Sequence, residues 1–153
     1  MPECKYLFDA SSLVHALKLE RLDLLSEGCI QWLTVYEVLN AVWKEAHLLG
    51  RLDRERAVEF VDALAEFLGT LSILDLRGCE KEAVETALEL GVTAYDASYV
   101  VLARKHGLVL VTEDRELRRK VGRAVEVVSL EELLGQPRGP QPGTSWRPRP
   151  PSS

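Results

Sequence analysis

The chain has 153 residues, 46% of them hydrophobic, and a formal net charge of −5. That is enough for one compact domain with a real core and hardly enough for two. No apolar run of about eighteen residues occurs, and Asp9 interrupts the first apolar segment, so neither a membrane span nor a signal peptide fits and the chain is expected to be soluble and cytoplasmic.

From Pro2 to Pro137 there is no proline, which permits an unbroken series of regular elements with glycine as punctuation. KYLFD (5–9) predicts a buried strand and SSLVHALKL (11–19) a short helix. CIQWL (29–33) predicts a second strand leading into a helix, TVYEVLNAVWKEAHLL (34–49), which Gly50 closes. A long amphipathic helix, DRERAVEFVDALAEFL (53–68), runs to Gly69. SILDL (72–76) predicts a third strand, EKEAVETALEL (80–90) a helix stopped by Gly91, and TAYDASYVVLARKH (93–106) a helix stopped by Gly107. LVLVT (108–112) follows as a strand, DRELRRKV (114–121) as a short helix, VEVVS (125–129) as a fifth strand and LEELL (130–134) as a last turn. Short strands alternating with helices of ten or more residues point to a parallel sheet flanked by helices.

Composition changes abruptly at Gln136. Six of the seven prolines and three arginines, but no acid, lie in residues 136–153, which read as a disordered Pro/Arg-rich tail. Without those three charges, residues 1–135 carry −8, and such a body repels nucleic acid unless cations intervene.

Asp9, Glu37, Asp96 and Asp114 each stand where a strand pattern ends or a helical pattern begins. In a parallel sheet those seams share one edge, where open α/β folds bind their ligands. Each acid also has an ordinary explanation. Thr34-x-x-Glu37 and Thr93-x-x-Asp96 match the capping box, and Asp9 and Asp114 suit the N-cap of the helices they precede. Together, however, four converging carboxylates raise one another's pKa unless a cation compensates, which favours a site for a hard divalent ion such as Mg²⁺ or Mn²⁺.

Other chemistries fit less well. His15, His47 and His106 have no ligand spacing, and Cys4, Cys29 and Cys79 are scattered, so neither a zinc site nor a disulfide framework is indicated. Neither GxGxxG nor GxxxxGK[ST] occurs. A haloacid-dehalogenase-type phosphatase needs a second aspartate two residues after the first, and here that position is Ser11. Trp32, Trp43, Phe60, Phe67, Tyr95 and Tyr99 recur within apolar patterns and are expected in the core, while Glu113 is expected to be solvated.

The segments YLFDASSLV, LTVYEVLNAV, TAYDASYVVLA and LVLVTEDREL resemble, in order and approximate spacing, the motifs of PIN domains, in particular the VapC-type ribonuclease toxins. The resemblance covers residues 4 to about 134. It implies a three-layer α/β/α fold with a five-stranded parallel sheet and a central first strand. It also implies Mg²⁺- or Mn²⁺-dependent endoribonuclease activity on RNA, a small antitoxin partner and a homodimer. Carried onto this sequence, Asp9, Glu37, Asp96 and Asp114 look like the catalytic, metal-binding acids. Ser11 and Thr112 match small hydroxyl positions that support them, and Asn40, one turn beyond Glu37, is a further supporting candidate. The same chemistry in RNA maturation, and a catalytically silent binding module of the same fold, are the alternatives.

Overall fold

The computed structural model describes residues 4–135; the expected tail, residues 136–153, lies outside them. Five strands, β1 (Tyr6–Phe8), β2 (Gly28–Gln31), β3 (Ser72–Leu74), β4 (Val109–Val111) and β5 (Val127–Val128), form one sheet in the order β3-β2-β1-β4-β5. Every pairing is parallel, with β1 central between β2 and β4. The helices are α1 (Ala10–Lys18), α2 (Trp32–Trp43), α3 (Arg54–Leu68), α4 (Glu80–Leu90), α5 (Ala94–His106), α6 (Arg115–Val121) and α7 (Leu130–Gly135). A 3₁₀ turn at Leu22–Leu25 and a π turn at Lys44–Leu48, which prolongs α2, complete the described elements. No helix among the described residues is long and apolar enough to cross a membrane.

The period-two alternation of the central strands divides the core. Phe8, Ile30, Val111 and Val128 face one layer, with Leu13 and Ala16 of α1, Val38 of α2, Leu64 of α3 and Leu133 of α7. Leu7, Cys29 and Leu110 face the other, with Tyr99 and Leu102 of α5 and Leu117 and Val121 of α6. The result is the expected three-layer α/β/α architecture, and its five strands and seven helices follow the predicted order. Between the layers β1 and β2 approach closely: a Cβ placed on Gly28 would lie 2.6 Å from the Phe8 ring.

Three aromatic expectations are corrected. Trp32 is 56%, Trp43 49% and Tyr95 67% exposed. On α2 the apolar residues fall into two stripes, because Val38 and Val42 face the sheet while Trp32, Tyr36, Leu39 and Trp43, spaced 4-3-4, face outward. Periodicity identifies both stripes without saying which is buried. Trp43 instead stacks on His47, with ring centroids 5.3 Å apart.

Candidate active site

The site is built where β1 and β4 end. Phe8 and Val111 are in register, so Asp9 and Thr112 emerge side by side from adjacent central strands. Asp9 has extended backbone and is the N-cap of α1, its Oδ1 accepting from the Ser12 amide at 2.9 Å. The same oxygen accepts from Ser11 Oγ at 2.7 Å, while Thr112 Oγ1 donates to Oδ2 in a short bond. Thr112 itself accepts from the Asp114 amide at 3.2 Å, and Ser11 Oγ from the Glu113 amide at 3.1 Å. With Ser12 Oγ also donating to Oδ1 at 3.0 Å, a buried carboxylate is held in one orientation by three hydroxyls and a helix end, Ser11 and Thr112 among them.

Asp114 repeats the pattern one strand over, capping α6 through the Leu117 amide at 3.0 Å. Thr93 caps α5 and accepts from the Asp96 amide at 3.1 Å, which puts Asp96 in the first turn of that helix. Glu37 departs from its capping reading. The helix begins at Trp32, two residues before the predicted start, and its N-cap is Gln31, whose amide donates to Thr34 Oγ1 at 3.3 Å. Glu37 therefore lies in the second turn of α2, where the Tyr99 hydroxyl donates to its Oε1 at 2.6 Å.

Tyr99 is the supporting residue that sequence reasoning missed. It is buried, as an aromatic in an apolar pattern should be, but its hydroxyl also joins Thr34 at 2.8 Å and so links α5 to α2 across the sheet edge. Its position three residues after Asp96 was the available signal; the partner on α2 was not. Asn40 is exposed and makes no hydrogen bond to the acids. Glu113, expected to be solvated, is half-buried and accepts from the Leu130 amide at 2.8 Å, anchoring the start of α7.

Burial raises the pKa of Asp9, Glu37 and Asp96 above the ordinary carboxylate value, and like charge adds to the shift at Glu37 and Asp96. Asp9 and Asp96 push Glu37 upward, Asp114 and Asp9 push Asp96 upward, and hydroxyl donors partly oppose the shift at each group. The four acids thus share one field. Among the described residues no three acidic, histidine or cysteine side chains are preset to enclose an ion. Glu37 is turned onto the Tyr99 hydroxyl. The donor set is nonetheless all oxygen and strongly anionic, which suits a hard divalent cation.

A carboxyl group whose folded pKa is raised favours the folded state most while protonated, at or below the ordinary carboxylate range. That contribution is lost as pH rises through the raised value. At neutral pH the cluster is therefore a net cost. Asp96→Asn is expected to stabilise the metal-free domain at pH 7 by about 0.5–1 kcal/mol, a modest gain because Asp96 is only half-buried. The gain should shrink toward pH 4, and melting curves over that range in EDTA check it; a variant no more stable than the parent at pH 7 would contradict the electrostatic account.

A parallel α/β sheet gathering carboxylates at the ends of its central strands defines an acidic-edge α/β domain. Residues 6–122 match the PIN domain family, and the chain belongs to it. It is 40% identical over 129 residues to Exonuclease VapC9 of Pyrobaculum aerophilum, covering 82% of this chain and 92% of that protein. It is 42% identical over 88 residues to Ribonuclease VapC3 of the same organism, covering 58% of this chain and 66% of that one. The crystal structure of PAE2754 from Pyrobaculum aerophilum superposes with a TM-score of 0.72 at 37% identity, over 86% of this chain and 94% of that one. VapBC2 from Rickettsia felis, solved bound to a fragment of promoter DNA, shares the fold at 20% identity and a TM-score of 0.59, over 81% of this chain and 97% of that one.

Proposed function

We propose that residues 1–135 are a metal-dependent endoribonuclease that hydrolyses RNA phosphodiester bonds at the acidic edge, acting as the toxin of a toxin–antitoxin pair. The observation that carries this reading is Asp9, buried at the end of the central strand and fixed by Ser11, Ser12 and Thr112, with Glu37 tied to Tyr99 and with Asp96 and Asp114 in the opening turns of their helices. The names of the two curated relatives support nuclease chemistry, one as an exonuclease and one as a ribonuclease.

In this reading Asp9, Glu37, Asp96 and Asp114 hold Mg²⁺ or Mn²⁺. Bound there, the ion supplies an activated water and neutralises charge developing on the phosphoryl group. The protein's own part is orientation. Ser11 and Thr112 aim the Asp9 carboxylate, and the Tyr99 hydroxyl aims Glu37, so little side-chain freedom remains to be lost when substrate binds. Beneath Glu37 the Tyr99 ring is buried, so the hydroxyl that aims the carboxylate is itself held by packing. A small antitoxin offering a basic side chain to the same carboxylates is the expected partner, since arginine pairs with carboxylates bidentately. A homodimer is the expected assembly.

The test is incubation of partner-free full-length protein with end-labelled linear RNA and closed circular RNA, in EDTA, Mg²⁺ or Mn²⁺. Metal-dependent opening of the circle is the expected result. Cutting of linear RNA alone, from its ends, would replace the endonuclease by an exonuclease. Failure to cut either by folded, metal-loaded protein would overturn the nuclease reading in favour of a binding module. Light scattering on the same sample checks the dimer.

A further inference from the structure

Two dipeptides frame the acid pair at the mouth of the site: Tyr95–Asp96 opens α5 and Asp114–Arg115 opens α6. Lys120 of α6 donates to the Gly91 carbonyl just ahead of α5 at 3.2 Å, which ties α6 to the approach to α5. Tyr95 and Tyr99 are four residues apart and so share one side of α5. Tyr99 reaches Thr34 and Glu37 of α2, and Tyr95 therefore stands one turn outward on the same, site-facing side. Its backbone is anchored, because the Tyr95 carbonyl accepts from Ser98 Oγ at 2.5 Å and Ser98 accepts from Gln31 Nε2 at 2.8 Å. Its ring is 67% exposed, and its hydroxyl bonds nothing among the described residues. A rigidly mounted, wet aromatic at the rim of a polar site is a stacking surface without an occupant.

Arg115 supplies the complementary group. Of the four cations of α6, Arg119 and Lys120 pair with Glu116, and Arg118 donates to the Thr112 carbonyl at 2.7 Å. Arg115 is exposed and makes neither an ion pair nor a hydrogen bond through its side chain among the described residues. An unpaired guanidinium next to an acidic centre, on a body of charge −8, is placed to take a phosphate.

We propose that Tyr95 and Arg115 form a track for single-stranded RNA, with a base stacked on Tyr95 beside the scissile bond and an adjacent phosphate held by Arg115. The proposal rests on the nuclease reading and deepens it. A duplex keeps its bases stacked internally and offers none to Tyr95, so the track selects unpaired RNA. Stacking tolerates any base, so the track positions substrate without setting its sequence.

The experiment compares Tyr95→Ala, Tyr95→Phe and Arg115→Gln with the parent full-length chain. It measures steady-state cleavage of a single-stranded RNA and of the same oligomer made abasic around the cut site. Tyr95→Ala should raise KM for the base-bearing RNA about 5- to 100-fold with kcat nearly unchanged. It should leave the abasic oligomer unaffected, and Tyr95→Phe, which keeps the ring, should behave as the parent. Arg115→Gln should weaken both oligomers and flatten the dependence of log K on log salt by about 0.7. Equal loss on both oligomers in Tyr95→Ala, or no change in either variant, overturns the proposal and leaves the exposed ring to a protein partner. If the parent cuts nothing, fluorescence anisotropy in EDTA separates the two claims. Single-strand binding weakened by Tyr95→Ala would keep the track without the nuclease, and binding indifferent to Tyr95 and Arg115 would remove both.

Discussion

Asp9→Asn should lower metal-dependent RNA cleavage by about 10³-fold or more while leaving the domain folded. The loss follows from the several kcal/mol of charge stabilisation that a held cation contributes, at 1.36 kcal/mol per tenfold in rate. Retention of the fold follows from the bonds Asp9 makes. Asparagine is as good an N-cap as aspartate, so its Oδ1 keeps the Ser12 amide. The Thr112 hydroxyl, which donates to the carboxylate, can rotate to accept from the new amide instead. Circular dichroism and melting of the variant against the parent, run beside the cleavage assay, separate the two effects. Cleavage within tenfold of the parent in a folded Asp9→Asn protein would remove Asp9 from the centre of the site.

The largest expected effect on stability lies one residue earlier. Phe8 is fully buried in the central strand, and Phe8→Ala should cost about 3–5 kcal/mol out of a total of about 5–15. Gly28→Ala should cost about 1–3 kcal/mol, because its new methyl meets the Phe8 ring at 2.6 Å with both strands fixed by their neighbours. The two changes act on one volume. In Phe8→Ala/Gly28→Ala the added methyl enters the space the ring vacates, so the double variant should lose clearly less than the sum of the singles. Urea titrations of the four proteins measure the coupling, and strict additivity would show that the strands move apart to accommodate the methyl.

Much of this organisation was legible in the residues, for reasons the structure makes concrete. The ends of α4 and α5 fall where predicted because Gly91 and Gly107 take left-handed conformations, φ 66° and 64°, that other residues avoid. Asp9 and Asp114 stand at strand–helix seams, which a parallel sheet sends to one edge, and Asp96 opens α5, a helix that follows α4 and runs back into β4. The start of α2 was obscured because Trp32 and Leu33 continue the apolar run of β2 into the helix, and Gln31 is not a residue that ordinarily marks an N-cap. What local pattern does not contain is the long-range partner. Glu37 meets Tyr99 from 62 residues away, and Glu113 meets Leu130 from 17. Neither contact has a signal in the residues around the acid, which is why Glu113 was expected to be solvated.

The two aspartates that open α1 and α6 have a double occupation, each closing a helix end and contributing charge to the edge. Helix formation there and assembly of the site are accordingly one event: no folded form of this chain has its α1 cap made and Asp9 elsewhere. The same coincidence separates chemistry from architecture by a single exchange of carboxylate for amide, which empties the charge and keeps the cap. A lineage built on this plan can shed its reactivity in one step, without passing through a broken fold, and survive as a scaffold.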